Sequence, residues 1–399
     1  MDSALNQNEA SVWPGPLRAL VRAHPDLTVE LANETDDDSF AARLMAIAGR
    51  HGVALDETEI RRAMQPDPLG LRRLTTTETL EPYWPPLGFL PVRAAAHSAG
   101  PAIDWAWFGP ERLTEPFYEG DLRRALRRPF NRMIRWRMAL ADFCAGAPRP
   151  PGTLAPQGFI FHMSRCGSTL VAQMLARSRR NIVVSEAAPI DFAVQTGNPD
   201  ILRAMVLAFG RRRSGCEQRL FIKLDSWHAL ALPLFERAFP GTPWLFLFRD
   251  PIEVMVSQQR EPGAQMVPQL VAPSIFGLEP MTPGPDYTAR VLSRICTAAA
   301  EGLVSPHGLA VNYCDLPDAF ERRILPHFGF TPDAAERAIM HDALGVDAKS
   351  PGLPFSPDSA AKRAAASDRL RALTEGHLAG IVSWLDCIAA AKTDGKSLL

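Results

Sequence analysis

The nine residues His162-Met-Ser-Arg-Cys-Gly-Ser-Thr-Leu170 combine the residue types that bind phosphate groups. They follow the apolar run Gly158-Phe-Ile-Phe161 and precede apolar residues at helical spacing, which predicts a buried strand, a tight turn and a helix starting near 167–169. The first N–H groups of a helix have no intrahelical partner, and the positive end of the helix dipole favours an anion. Arg165 adds a charge that can span two acidic oxygens. The segment is therefore predicted to bind phosphate, with a serine-rich turn and a surface arginine as the alternative.

The loop differs from the Walker loop of nucleoside triphosphatases. That pattern needs a glycine five positions before its second glycine and a lysine directly after the second glycine. In this chain His162 and Ser168 occupy those two places, and Arg165 supplies the positive charge instead. A P-loop-type kinase or nucleoside triphosphatase is thus an alternative that the missing lysine disfavours.

A second segment has the same order of strand and helix. The continuous apolar run Trp244-Leu-Phe-Leu-Phe248 is typical of a parallel strand that is covered on both faces. Asp250 and Pro251 follow as a capping residue and a first helical residue. Arg249 therefore lies at the carboxyl end of a strand, where open α/β sheets bind ligands. A simple capping ion pair is the alternative role for this arginine.

Together, the two segments resemble the cofactor-binding segments of sulfotransferases that use 3′-phosphoadenosine-5′-phosphosulfate (PAPS). The resemblance implies that the first loop binds the 5′-phosphosulfate and that Arg249 and Ser257 bind the 3′-phosphate. The cofactor contacts that it implies are Arg165, Cys166, Gly167, Ser168, Thr169, Arg249 and Ser257. It further implies PAPS as sulfonate donor, no required metal, and a hydroxyl or amine of a small molecule, glycan or peptide as acceptor. A non-catalytic nucleotide-binding module is a second alternative.

Sulfonate transfer needs positive charge at the leaving phosphate and a base for the acceptor proton. Arg165 is placed for the first role, and because a guanidinium stays protonated it would stabilise charge without donating a proton. Glu186, at the end of a predicted strand, is the predicted base because some sulfotransferases have a glutamate there; a helix cap or an ion pair with a neighbouring arginine is the alternative. His162 and His228 are the competing candidates for the base.

Three lysines are further candidates. Lys223 ends the predicted strand Leu220-Phe-Ile-Lys223 and is predicted to touch the sulfonate or the acceptor, with a surface lysine as the alternative. Lys349 and Lys362 fall in the region that closes over the cofactor in the resembled family, and they are weaker candidates for binding the 3′-phosphate.

The predicted strands 158–162, 181–184, 220–224, 244–248 and 309–313 alternate with helical stretches, which indicates a parallel sheet with right-handed crossovers. Residues 152–399 are therefore predicted to form a three-layer α/β domain with a mostly parallel five-stranded sheet. In that sheet, 158–162 and 244–248 should be neighbouring parallel strands. A smaller, mainly helical N-terminal region is predicted to precede the domain.

The region before residue 152 divides in two. In residues 1–65, HPDL at 24–27 and IAGRHGVALDETEI at 47–60 resemble the small helical Nif11-type domain, often a leader for peptide modification; a plain helical appendage is the alternative. Residues 66–151 form a connecting region rich in proline and aromatic residues, with few regular elements expected before 101. One basic amphipathic helix is predicted from Asp121 to Phe143, as a packed helix with a solvated face and not a nucleic-acid site.

The bulk composition excludes several classes of partner. The 43 basic and 44 acidic residues give a net charge of −1, so no general attraction to nucleic acid or to an anionic membrane is expected. The six cysteines have neither paired nor metal-type spacing, which is typical of reduced thiols in a cytoplasmic protein. No signal-peptide pattern occurs between Met1 and Pro16, and no apolar run reaches membrane-spanning length. A cytoplasmic location is predicted, and the composition does not define the oligomeric state.

Overall fold

The computed structural model describes residues 20–21, 24, 26–65, 80–95, 100–134, 136–146, 152–350, 352–354, 356 and 358–393. These residues form two compact units. The first comprises the described parts of Met1–Glu111, Glu119–Thr153 and Arg211–Gly215. The second comprises the described parts of Arg112–Tyr118, Leu154–Gly210 and Cys216–Leu399. The predicted division into 1–65, 66–151 and 152–399 stays a prediction.

The first unit combines short helices with a three-stranded antiparallel sheet. Its helices are α1 (Asp26–Ala32), α2 (Asp37–Arg50), α3 (Glu57–Met64), α4 (Tyr118–Leu126), α5 (Pro129–Met133) and α6 (Leu140–Ala145). Its strands are β1 (Phe89–Ala95), β2 (Ala102–Trp107) and β3 (Trp136–Ala139), hydrogen-bonded in the order β1-β2-β3. Asp104 in β2 pairs across the sheet with Arg93 on one side and with Arg137 on the other.

The single amphipathic helix predicted over Asp121–Phe143 is wrong. The segment breaks at Arg128, whose extended backbone (φ −64°, ψ 135°) is the conformation that a following proline imposes, and Pro129 begins a new helix. A second break comes at Ile134, which is also extended and leads into strand β3. The apolar residues whose spacing indicated one helix are therefore divided among α4, α5, the residue after α5 and β3.

The second unit is built on a five-stranded sheet in which every strand is parallel to its neighbours, as predicted. The strands are β4 (Pro156–His162), β5 (Asn181–Ser185), β6 (Arg219–Lys223), β7 (Trp244–Phe248) and β8 (Gly308–Asn312), in the order β5-β6-β4-β7-β8. The predicted pairing of 158–162 with 244–248 is confirmed, since Phe159 aligns with Trp244 and His162 with Leu247. The carboxyl ends of β4 and β7 therefore lie side by side at the centre of the sheet.

Helices connect and cover these strands, which gives the predicted α/β class. They are α7 (Ser168–Arg177), α8 (Ala188–Gln195), α9 (Pro199–Phe209), α10 (Leu232–Ala238), α11 (Pro251–Arg260), α12 (Pro285–Gly302), α13 (Leu325–His327), α14 (Ala334–His341), α15 (Ser359–Ala364), α16 (Asp368–Thr374) and α17 (Gly380–Thr393). A 3₁₀ helix, Ser226–Ala231, follows β6. Every residue of β5 and β7 is buried, which explains why their sequences are apolar without alternation.

Two further findings concern the chain as a whole. Among the described residues, the helices lack the combination of length and apolar composition that crossing a membrane requires. All six cysteines lie in the described part of the chain, and none of them is joined in a disulfide.

Candidate functional site

A cavity of about 830 Å³ lies at the carboxyl ends of β4 and β7. This volume is in the range of sites that bind small molecules and cofactors. All of its lining residues belong to the second unit. The predicted site residues that line it are His162, Arg165, Cys166, Gly167, Ser168, Thr169, Glu186, Arg249, Ser257, Lys349 and Lys362. The structure therefore brings both predicted phosphate-binding segments to one cavity.

The loop between β4 and α7 has an unusual backbone. Ser164, Arg165 and Gly167 all have positive φ angles, of 76°, 53° and 87°. Such angles are unfavourable for residues with a side chain, and they persist where surrounding contacts hold the backbone. Here the Ser164 N–H donates to His162 Nδ1 at 3.0 Å, and its hydroxyl accepts from Gln258 Nε2 at 2.9 Å. The loop is thus fixed at the start of α7, where N–H groups are free to meet an anion.

The absence of a side chain at Gly167 is required by Tyr313. A Cβ atom at Gly167 would lie 2.4 Å from Tyr313 Cδ2, which is far below any normal contact. The preceding Cys166 points elsewhere, because its buried thiol donates to the Leu247 carbonyl at 3.1 Å. Burial raises the pKa of this thiol to about 11. Cys166 can therefore contribute to an anion site through its main chain and not as a thiolate.

Arg165 contacts the segment that follows α11. Its guanidinium donates to the main-chain carbonyl of Glu261 at 2.8 Å and also to the Glu261 carboxylate. That hydrogen bond, followed by the charge of Arg165, lowers the pKa of the Glu261 carboxyl. Lys349 lines the same cavity, and its pKa is lowered by burial and then by the charge of Arg165. The side chain of Arg165 is 15% exposed, so its charge is poorly screened by solvent.

Arg249 is a second cation that lines the cavity. Its Nε donates to Glu253 Oε2 at 2.6 Å, one helical turn further along α11. Its Nη2 donates to the Ser359 hydroxyl at 2.9 Å, and its guanidinium lies 4.2 Å from the centre of the Tyr313 ring. Arg249 thus makes an ion pair with the first turn of α11, while Asp250 caps this helix by accepting from the Ile252 N–H at 3.0 Å.

Ser257 lies on α11, which begins two residues after Arg249. Its hydroxyl donates to the Glu253 carbonyl at 2.9 Å within the helix, and the residue lines the cavity while only 7% exposed. Lys362, on α15, pairs with Asp358 Oδ2 at 2.7 Å. Arg249, Ser257 and Lys362, three of the residues predicted to bind a 3′-phosphate, therefore line the same cavity, and the fourth, Lys349, lines it within reach of the charge of Arg165.

Glu186 and Lys223 form an ion pair at the ends of the neighbouring strands β5 and β6. The ammonium of Lys223 donates to the Glu186 carboxylate, which also lies 3.4 Å from His162 Nε2. Burial opposes ionisation of Glu186, but the charge of Lys223 and the hydrogen bond from His162 outweigh it, so the pKa lies below the usual range. Glu186 is another residue with positive φ, at 50°. The carboxylate lines the cavity and is held ionised.

Lys223 is placed differently from its predicted role. The residue is fully buried, its ammonium lies 5.2 Å from the centre of the Phe117 ring, and it is not among the residues that line the cavity. Its influence on the cavity passes through Glu186. We therefore describe Lys223 as a positioning residue for that carboxylate.

The two histidines considered as bases have distinct environments. His162 accepts at Nδ1 from Ser164, so it carries its proton on Nε2, which lies 2.9 Å from the Leu224 carbonyl. Burial lowers the pKa of His162, which keeps the ring neutral. His228 is buried beside Asp191 and is not a lining residue of the cavity.

Several residues of the cavity were not found from the sequence. Asp225 lines it two residues after Lys223, and its position at a strand end could have identified it. Burial, followed by repulsion from Glu186 and Asp191, raises the pKa of Asp225 well above its ordinary value. Glu261 and Asp358 also lie in the cavity, but no spacing in the sequence connects them with the arginines that they contact.

Comparisons with known proteins add little to this geometry. No protein-family model matches the chain, and no curated protein matches it. Among solved structures, the chain is similar to one described as the sulfotransferase domain from the curacin biosynthetic pathway. That match has 17% sequence identity and a TM-score of 0.36, and it covers 62% of this chain and 100% of the other.

Proposed function

We propose that this protein is a sulfotransferase that transfers the sulfonate group of PAPS to a hydroxyl or amine. The observation that carries the proposal is the convergence on one cavity of the two segments that the sequence predicts to bind phosphate groups. The strained loop with Arg165 follows β4, and Arg249 with Ser257 follows the adjacent strand β7. A cofactor with phosphate groups at its 5′ and 3′ positions needs two such segments.

The loop chemistry favours this donor over a nucleoside triphosphate. A Walker loop has a lysine that reaches the β- and γ-phosphates, and Ser168 occupies that place here. Arg165 is the cation of this loop, and a guanidinium can bind two acidic oxygens at once. Arg249, which follows the adjacent strand β7, has no counterpart in a Walker loop, whereas a 3′-phosphate would give it a ligand.

One group of residues would stabilise the leaving phosphate, and another would take the proton of the acceptor. As the acceptor oxygen or nitrogen forms its bond to sulfur, the bond from sulfur to the bridging phosphate oxygen breaks and the electron pair leaves with the phosphate. Arg165 and the N–H groups at the start of α7 would stabilise that negative charge. Glu186 would take the acceptor proton, and Lys223 would hold its carboxylate ionised and in place. The acceptor is a small molecule, a glycan or a peptide.

The experiment is calorimetry on the full chain with 3′,5′-adenosine bisphosphate and, separately, with ATP. We expect the bisphosphate to bind and ATP to bind more weakly or not at all. Labelled PAPS would then be incubated with phenols, sugars, lipids and peptides to find an acceptor. Arg165→Ala should lower turnover more than it weakens bisphosphate binding, because the charge that it meets grows in the transition state.

Two outcomes would contradict the proposal. Binding of ATP without binding of the bisphosphate would favour a kinase or nucleoside triphosphatase. Binding of the bisphosphate with no transfer to any acceptor class would favour a non-catalytic nucleotide-binding module.

A further inference from the structure

Three side chains that can ligate a metal converge next to the cofactor cavity. They are Asp191 on α8, Asp225 after β6, and His228 in the 3₁₀ helix Ser226–Ala231. One ligand atom of each lies within 4.8 Å of the ligand atoms of the other two. Asp225 also lines the cofactor cavity, whereas Asp191 and His228 do not.

The buried imidazole of His228 distinguishes this cluster from an ordinary group of acidic residues. Its imidazole is 1% exposed, and neither ring nitrogen has a hydrogen-bond partner among the described residues. The Nε2 atom lies 2.7 Å from Asp191 Oδ1, but the two atoms are not aligned for a hydrogen bond, and Asp191 Oδ1 is itself unpartnered within the described structure. Burying such groups unsatisfied is costly. Two potential ligand atoms that lie this close without a hydrogen bond between them, such as His228 Nε2 and Asp191 Oδ1, are expected when both are directed at a third atom.

The charges around the cluster also call for a cation. Asp191 and Asp225 bring two carboxylates together, and the Glu186 carboxylate is close enough to repel Asp225. The nearby Lys223 ammonium donates its hydrogen bond to Glu186 and not to this cluster. Two carboxylates this close are stable when a proton that they share, as in the hydrogen bond between Asp225 and Asp191, or a cation in its place separates them.

We propose that Asp191, Asp225 and His228 bind a divalent transition-metal ion, for which Zn²⁺ is the best candidate. One imidazole nitrogen with two carboxylate oxygens suits Zn²⁺, whereas Mg²⁺ and Ca²⁺ prefer oxygen ligands alone. Three protein ligands leave a further coordination position for water or another group. The sequence predicted no metal because only two of the ligands, Asp225 and His228, are near each other in the chain.

The ion would connect the segments that carry the proposed base. Asp191 follows Glu186 by five residues, and Asp225 follows Lys223 by two residues. A metal bound by both Asp191 and Asp225 would therefore link the segments that follow β5 and β6. The Glu186–Lys223 ion pair lies at the ends of these two strands. The metal site itself is independent of the proposed sulfotransferase activity, and it can be tested in the absence of any nucleotide.

The test is metal binding by the full chain after treatment with a chelator. Equilibrium dialysis against Zn²⁺, with metal measured by mass spectrometry, should give one equivalent bound, and Mg²⁺ should not compete. Asp191→Asn and His228→Gln should each weaken Zn²⁺ binding at least about tenfold. Asp200→Asn is the matched control, because it removes an exposed carboxylate on the neighbouring helix α9 and should leave binding unchanged.

A second measurement needs no variant and guards against variants that fail to fold. X-ray absorption of the Zn²⁺-loaded protein should show nitrogen and oxygen ligands, including one imidazole, and no sulfur. Sulfur ligation would overturn the proposal, because it would place the ion on cysteines. The absence of bound Zn²⁺, or unchanged binding by folded Asp191→Asn and His228→Gln, would overturn it as well.

Discussion

The Asp358 carboxylate contacts two of the cations that we propose for binding the 3′-phosphate. Its Oδ1 lies 3.4 Å from Arg249 Nη2, and its Oδ2 lies 2.7 Å from Lys362 Nζ. Burial opposes ionisation of Asp358, but the hydrogen bond from Lys362 and its charge, followed by the charge of Arg249, lower the pKa of this carboxyl. A carboxylate of the chain itself thus occupies cations that an incoming phosphate would also need, so cofactor binding must displace it or compete with it.

Removing this competition should strengthen cofactor binding. We expect Asp358→Asn to bind 3′,5′-adenosine bisphosphate about two- to fivefold more tightly, since a half-exposed ion pair is worth about 0.4–1 kcal/mol. Calorimetry would measure the change, which should shrink at high salt. Asp368→Asn, an exposed carboxylate at the start of α16, serves as the control with the same change of charge. Weaker binding by Asp358→Asn would show that Asp358 supports the site and does not compete.

The contribution of Arg249 to cofactor binding has to be separated from its contribution to the stability of the fold. Arg249→Ala alone would leave the buried Glu253 with Arg363, at 2.8 Å, as its one charged partner among the described residues, and could destabilise the protein. The double variant Arg249→Ala/Glu253→Gln removes that problem, with Glu253→Gln as its reference. We expect bisphosphate binding to weaken by about 2–5 kcal/mol in the double variant. Ser257→Ala should cost about 0.5–1.5 kcal/mol, as expected for a neutral hydrogen bond. Equal affinity of the double variant and Glu253→Gln would assign Arg249 to the fold alone.

The second unit could be predicted from the sequence because local patterns specify its elements. Continuous apolar runs identified buried parallel strands, and Asp250 followed by Pro251 identified the start of α11. The first unit was predicted less well. Its antiparallel sheet joins residues far apart in the chain, such as Asp104 and Arg137, and the periodicity of a short segment does not contain such pairing.

The candidate site, like the fold, was predicted in part from the sequence. Residues at strand ends, such as Arg165 and Arg249, could be found because a parallel sheet gathers its carboxyl ends at one edge. Asp358 and Glu261 could not, because their contacts depend on how later segments fold back over that edge. The buried position of Lys223 also needed the structure, since the end of a strand can point into the protein or out of it.

Asp104 should make the stability of the first unit depend on pH. Its carboxyl is 1% exposed, and although burial opposes ionisation, Arg137 and then Arg93 lower its pKa below the ordinary 3.8. A carboxyl with a lowered pKa in the folded state stabilises the protein above the unfolded value, and this contribution is lost as the pH falls through the folded value. Asp104→Asn should therefore lower the free energy of unfolding by about 3 kcal/mol at pH 7.

Urea denaturation of both proteins at several pH values would measure this difference. The gap between wild type and Asp104→Asn should narrow as the pH falls below 3.8, because the wild type then loses the same charge. Asp200→Asn, which removes an exposed carboxylate, should change the free energy of unfolding little at any pH. If the difference in the free energy of unfolding between wild type and Asp104→Asn does not change with pH, the shape of the Asp104 side chain and not its charge stabilises the protein.

The last prediction separates the proposed base from the residue that positions it. Glu186→Gln keeps the size of the side chain but removes the base, so turnover should fall about 10²–10⁴-fold while bisphosphate affinity stays nearly constant. Lys223→Met should keep Glu186 but remove the ammonium that is paired with its carboxylate, which raises the pKa of Glu186. The acid limb of turnover against pH should therefore move to higher pH in Lys223→Met, and Lys223→Arg should partly restore it because the charge returns. An unmoved acid limb would mean that Lys223 does not control Glu186, and full activity of Glu186→Gln would assign the base to another group.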